Sequence, residues 1–394
     1  MSTGVKQPVT PMNHFPWVKL WDCIVPVERA VRPVAGTQYR QIGVRLWGQG
    51  AYERQPIDGA DTKYANLYQV QAGDVVINKI WARNGSVSVV SDELAGAVVS
   101  GEFPTFSCIP DRLAPRWFLW ITKTKWFWSA CDEKSRGTSG KNRIRPEKFL
   151  EIEIPLPPLS EQKRIVKRIE EVASRTRHVL DSQEKVREEL GHLLMASYLE
   201  LVSHACDYLS MSEAAPLVRR PIRVEADSSY PELGIRSFGK GTFHKPDLAG
   251  LDVGTKKLFE IHEGDLLFNI VFAWEGAVAV ARQEDHGRVG SHRFLTCVPK
   301  KETVLSFFLK FHFLTRRGLD DLLQASPGGA GRNRTLGLTA LANIQVPIPP
   351  YEEQLRFRNL LKLVSDVEQE HSEQVVETHA MLQSILLRAF KGEF

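Results

Sequence analysis

The sequence predicts an α+β protein: two pseudo-symmetric mixed α/β domains separated by two long helices that form an antiparallel coiled coil. Three observations predict it. Motifs recur along the chain at a nearly constant offset, two segments carry a heptad seam, and short β-type alternations follow tight glycine turns in both halves. A chain of 394 residues also exceeds what one hydrophobic core usually organises.

The repeat comes first. Gly43-Val-Arg-Leu-Trp-Gly-Gln-Gly50 returns as Gly234-Ile-Arg-Ser-Phe-Gly-Lys-Gly241, an offset of 191. The same offset carries Gly73-Asp74-Val-Val-Ile-Asn78 onto Gly264-Asp265-Leu-Leu-Phe-Asn269, and Ser135 to Arg143 onto Ser326 to Arg334. Ile154-Pro-Leu-Pro-Pro-Leu-Ser-Glu-Gln162 returns at 192 as Val346-Pro-Ile-Pro-Pro-Tyr-Glu-Glu-Gln354. The order is therefore domain (1–154), helix (155–205), domain (206–345), helix (346–394). Met1 to Val34 is less clearly duplicated, with its nearest counterpart around Ser210 to Val224. A duplicated chain of this kind packs about a pseudo-twofold axis, as closed dimers do.

Each half reads as mixed and strand-rich, with strands at Val87–Val90 and Ala277–Val280 and apolar helical stretches near Phe118–Ile121 and Phe307–Phe313. After Pro158 the pattern becomes helical, with Ser160 as N-cap and Glu161 and Gln162 in a first turn that favours negative and polar groups. Ile165, Ile169, Val172, Thr176, Val179, Gln183, Val186, Leu190, Leu193 and Ser197 alternate steps of four and three, which is a heptad seam. Phe357, Leu360, Val364, Val367, His371, Gln374, Thr378, Met381 and Ile385 repeat it less cleanly. Gln183, His371 and Gln374 read as register-fixing or wet seam positions. From Ser160 to Ser203 such a helix reaches roughly 65 Å and needs a partner. The duplicate helix supplies it, antiparallel, and the pair acts as a ruler with one domain at each end.

Composition excludes several classes. The start carries Pro8, Pro11 and Pro16 and lacks the basic and apolar regions of a signal peptide, and no apolar run spans a bilayer. Cys23, Cys108, Cys131, Cys206 and Cys297 form no CxxC pair, which argues against a zinc module and a disulfide framework and for the cytoplasm. The formal charge is +4, yet the two helical segments together carry −3, so the remainder carries +7. Catalytic motifs are missing: Gly137-Thr-Ser-Gly-Lys141 has the wrong spacing for a phosphate loop, and no GxGxxG lies between a strand and a helix. Pro349-Pro350-Tyr351 resembles the N-P-P-Y tetrapeptide of adenine methyltransferases, but Ile348 replaces the Asn, and both proline pairs read as breakers at domain-to-helix junctions. Asp74 and Asp265 read as structural members of Gly-Asp turns.

The two junctions, 154–165 and 346–354, resemble those of type I restriction-modification DNA specificity subunits, and the likeness in architecture spans nearly the whole chain. The resemblance implies two target-recognition domains that read the two halves of a bipartite target on double-stranded DNA. It also implies partnership with two adenine methyltransferase subunits, which bind S-adenosylmethionine, and with restriction subunits. This chain then needs no cofactor and no metal, has no catalytic residue, and meets no membrane. A pseudo-twofold protein with two unlike readers suits duplex DNA with two unlike half-sites.

Two surfaces are the candidates for DNA contact. The first is the Gly-rich basic loop with Arg136, Thr138, Ser139, Lys141, Asn142 and Arg143, and its duplicate with Arg332, Asn333 and Arg334. Glycine lets backbone approach a phosphate and the cations neutralise it, although the same loops suit docking of the methyltransferase. The second is the turn bearing Lys79, Arg83 and Asn84, matched by Asn269, Trp274 and Glu275. The differences between the copies are what distinct half-sites require. Trp81 and Phe272 read as core. Arg45 and Arg236 read either as DNA contacts or as structural ion-pair partners. Two rival readings remain: a coiled-coil scaffold that does not read DNA, against which the basic excess outside the helices leans, and an enzyme, against which the missing cofactor motif weighs.

Overall fold

In the computed structural model, residues 15–135, 142–203, 206–329 and 334–393 are described. The chain divides into two units: residues 1–183 with 372–394, and residues 184–371. Each long helix contributes to both.

In the first unit a four-stranded antiparallel sheet runs in the order Ile24–Val27, Thr105–Cys108, Val75–Ile77, Val87–Val89. A five-stranded sheet adds Ala30–Val31, Leu67–Gln69, Val98–Val99, Gln38–Val44 and Ala51–Asp58, in that order. The valine-rich strands Val75–Ile77 and Val87–Val89 are buried along their whole length, which suits a β-branched run covered on both faces. Helices Pro115–Ile121 and Lys125–Ser135 bury Trp117, Phe118, Phe127 and Cys131 against the four-stranded sheet.

The second unit repeats the order: Leu217–Val218, Phe294–Cys297, Leu266–Asn269, Val278–Val280. The duplication also reaches Trp17–Lys19. Trp17–Lys19 pairs with Glu153–Pro155, and Asp207–Ser210 pairs with Gln345–Ile348, so the N-terminal counterpart begins a few residues before Ser210. Asp74 and Asp265 are both buried and salt-bridged, to Arg29 at 2.5 Å and Arg220 at 2.6 Å. They also accept backbone N–H groups of Gln71 and His262, which is the structural role the Gly-Asp turns imply.

The long helices are Leu159–Ser203 and Tyr351–Lys391. Ser160 lies inside the first turn, one residue beyond the helix start, and is exposed. Gln162 does more than suit the dipole. Fully buried, it accepts the Ala114 N–H through Oε1 (2.9 Å) and donates through Nε2 to the Arg112 and Pro157 carbonyls (2.8 and 2.9 Å). Gln354 does the same with Leu305 N–H and the Thr303 and Pro349 carbonyls. The Pro-Pro-x-x-Glu-Gln junction is thus a clasp that satisfies loop groups no secondary structure pairs.

Within each unit the helices pack antiparallel. In the first, Ile165, Val166 and Ile169 share a core with Leu386, Ala389 and Phe390, and Phe390 meets Trp117 edge-on at 4.9 Å. In the second, Tyr198 packs against Phe357 and Phe308. Gln183 Nε2 donates to Gln374 Oε1 at 2.8 Å, so the polar seam pair is joined. The seam departs from the strict heptad: Val179, Val186 and Leu193 are 49%, 40% and 48% exposed, while Leu194 and Tyr198 pack inward. A straight α-helix drifts about 20° per heptad, so a seam laid out at 3.5 residues per turn walks off a face defined at 3.6. Among the described residues, no helix is long and apolar enough to cross a membrane.

Candidate nucleic-acid interface

In each unit three segments converge. The hairpin turn Leu46-Trp47-Gly48-Gln49 rests on the turn 82–85: Trp47 N–H donates to the Asn84 carbonyl (2.6 Å) and Gly48 N–H to the Gly85 carbonyl (3.1 Å). The duplicate has Phe238 N–H to Glu275 and Gly239 N–H to Gly276, both 2.8 Å. The exit of the basic loop then closes on the same turn, through Ile144 N–H to the Lys79 carbonyl (2.9 Å) and Leu336 N–H to the Ile270 carbonyl (2.8 Å). Segments chosen separately in the sequence are therefore brought together, twice, by the same backbone contacts.

The side chains differ in how free they are. Asn269 Oδ1 accepts the Val271 N–H (3.1 Å), as Asn78 Oδ1 accepts that of Ile80 (3.0 Å), so each asparagine builds the turn that follows it. Lys79 Nζ donates to the Gly101 carbonyl (2.6 Å), and Arg143, though exposed, pairs with Glu102 at 2.7 Å. Arg83, Asn84 and Asn142 are half-buried. Trp274 donates its indole N–H to the Val271 carbonyl (3.1 Å), and the Arg334 guanidinium lies over its ring at 5.9 Å, joining two candidates from different segments. Glu275 accepts from the Ser237 hydroxyl (3.2 Å). Arg45 and Arg236 are exposed and lie over the rings of Tyr52 (4.7 Å) and Phe243 (4.8 Å), where a delocalised guanidinium keeps its charge while covering apolar surface. Arg136, Thr138, Ser139, Lys141, Arg332 and Asn333 lie outside the described residues.

Trp81 is a correction. It is 44% exposed, because it precedes the 3₁₀ turn 82–84 whose Ala82 takes the core position. Phe272 is half-buried against a core cluster. The sequence reading also passed over Trp47 and Phe238, which are 55% and 73% exposed at the tips of the matched hairpins. An aromatic directly before the turn glycine in both copies was the available signal.

Residues 49–185 match the family model described as the type I restriction modification DNA specificity domain. Over about a third of its length the chain is thus similar to that family. The EcoKI type I restriction enzyme specificity subunit of Escherichia coli (strain K12) is 21% identical over 315 residues, 72% of this chain and 67% of that relative. The fold of the HsdS subunit from Thermoanaerobacter tengcongensis is similar at a TM-score of 0.57, with 19% identity over 100% of this chain and 99% of the other. A chain solved in a study of complex assembly and conformational transition of the type I R-M system is similar at 0.71, with 18% identity over 98% and 100%. The fold shared with these solved chains is the mixed α/β architecture with long helices expected from the sequence. The scaffold reading is not favoured by these similarities.

Proposed function

We propose that this chain is the DNA sequence-specificity subunit of a type I restriction-modification complex, reading a bipartite target and positioning adenine methyltransferase and restriction subunits on it. The observation that carries the reading is the pair of matched surfaces with unlike side chains: Arg83 and Asn84 stand in one unit where Trp274 and Glu275 stand in the other. One backbone frame presents two side-chain sets, which is the requirement for two half-sites of different sequence. Lysines and arginines of the basic loops set position on the phosphates, and the turn residues face base edges.

The chain acts without chemistry of its own. S-adenosylmethionine belongs to the methyltransferase subunits, two of which match the two junctions. Turnover of S-adenosylmethionine by the isolated chain would contradict this. The decisive test is methylation mapping in a host that carries this subunit with its methyltransferase. The expected result is one bipartite adenine-methylated motif that disappears when this subunit is deleted, and methylation persisting unchanged after deletion sinks the reading.

A further inference from the structure

Only three described non-glycine residues have positive φ, and two of them are the matched pair Trp47 (+59°) and Phe238 (+61°). Each is followed by a glycine at +66°, and Gln49 and Lys240 N–H groups close back onto the Leu46 and Ser237 carbonyls. These are type I′ hairpin turns, whose first central position favours Asn, Asp or Gly. A bulky aromatic there is a conformational outlier. The fold gains little by it, since Phe238 is 73% exposed and its ring is met by Lys240, whose ammonium lies 6.0 Å from it. Trp47 keeps one tilted contact, with Trp128 at 5.8 Å, and remains more than half exposed. A residue that the turn disfavours and the core does not use, present twice at one register, points to a partner.

The surroundings are mainly cationic, with the Glu275 carboxylate as the acid beside the second turn. Arg45 and Arg236 stand exposed two residues before each aromatic, Lys240 lies beside Phe238, and Arg83 and Arg334 belong to the turns and loop exits that converge on the same place. We propose that Trp47 and Phe238 are sequence-independent aromatic contacts to DNA, packing a ring on the deoxyribose of the groove wall while the adjoining turn residues read base edges. This rests on the specificity-subunit reading above. The aromatic character is shared between copies whereas the adjoining pairs Arg83/Asn84 and Trp274/Glu275 differ. In duplex DNA the base faces are covered by stacking, but the deoxyribose is the same at every position, so a ring packed on it tolerates any half-site and needs no change when the target changes.

The test uses the full chain assembled with its methyltransferase subunits, carrying Trp47→Asn or Phe238→Asn. Asparagine suits the turn, so each variant is expected to melt at or above the wild-type temperature. The probes are a duplex bearing the mapped target and one of scrambled sequence. Binding to both is expected to weaken by about 2- to 10-fold. The salt dependence should keep its slope, because no phosphate contact is lost, and the methylated motif should stay the same. Exchanging the two aromatics, Trp47→Phe with Phe238→Trp, should restore affinity. The proposal is overturned by asparagine variants that bind both duplexes like wild type, or by a changed motif, which would make the rings base-specific readers. It is equally overturned by loss of methyltransferase subunits from the complex while the chain alone binds duplex unchanged. If the wild-type complex does not prefer the mapped target, the specificity reading itself fails, and that arm involves no variant.

Discussion

Replacing Gln162 by alanine removes the partner of three backbone groups at once, the Ala114 N–H and the Arg112 and Pro157 carbonyls, which are buried or part-buried. An unmade buried hydrogen bond costs about 1–3 kcal/mol, so Gln162→Ala is expected to destabilise the first unit by about 3 kcal/mol in a thermal or denaturant melt. Gln354→Ala should do the same to the second unit, and Gln→Glu at either site should be no milder. His312 supplies a pH dependence. Burial and, less, the nearby Arg317 hold its pKa down to about 4, and its Nδ1 lies 2.6 Å from the Tyr198 hydroxyl. A folded pKa below the unfolded value of about 6.5 means the unfolded chain takes up the proton first. Stability present above pH ~6.5 is therefore lost as pH falls from there through about 4. At the matched position the first unit has Ile121, and His312→Ile is expected to flatten that acid-side slope in melts at stepped pH, whatever it does at neutral pH. The basic loops are tested by Lys141→Ala and Arg332→Ala, each of which should weaken binding to all sequences and lower the salt slope by about one. An unchanged slope with lost methyltransferase binding assigns these loops to the protein interface.

At the scale of elements, the long helix Leu159–Ser203 is continuous through Gln183, where the Gln183–Gln374 hydrogen bond fixes register. Four residues inserted beside Gln183 add one turn, roughly 6 Å of axial rise. The unread spacer is expected to lengthen by one or two base pairs of about 3.4 Å, with both half-site sequences kept and some affinity lost to the disturbed seam. Methylation mapping of the variant decides it: an active protein that keeps the original spacer contradicts the ruler. The exposed seam valines, Val179 and Val186, show that the first long helix is not fully covered near its midpoint.

For the whole molecule, two units that share the order of their four-stranded sheet but carry different surface side chains imply separable reading. Exchanging residues 206–345 for the matching region of a relative should change one half-site and leave the other. Both half-sites moving together would show that the units do not read independently.

Much of this was legible in one dimension. Repeated motifs at offsets of 191 and 192 revealed the duplication, and heptad spacing revealed the helices, because both are periodicities written along the chain. The junction motif was visible too, but the use of its glutamine was not: whether an amide is solvated or clasps loop carbonyls depends on what lies some fifty residues upstream. The candidate turns and loop exits were found one by one, and only the tertiary structure joined them, through hydrogen bonds between Trp47 and Asn84 and between Ile144 and Lys79. The outward placement of Trp47, Trp81 and Phe238 was likewise decided there. Hydrophobicity argues that an aromatic is buried, whereas the left-handed backbone at Trp47 and Phe238 and the 3₁₀ turn after Trp81 hold these three toward solvent.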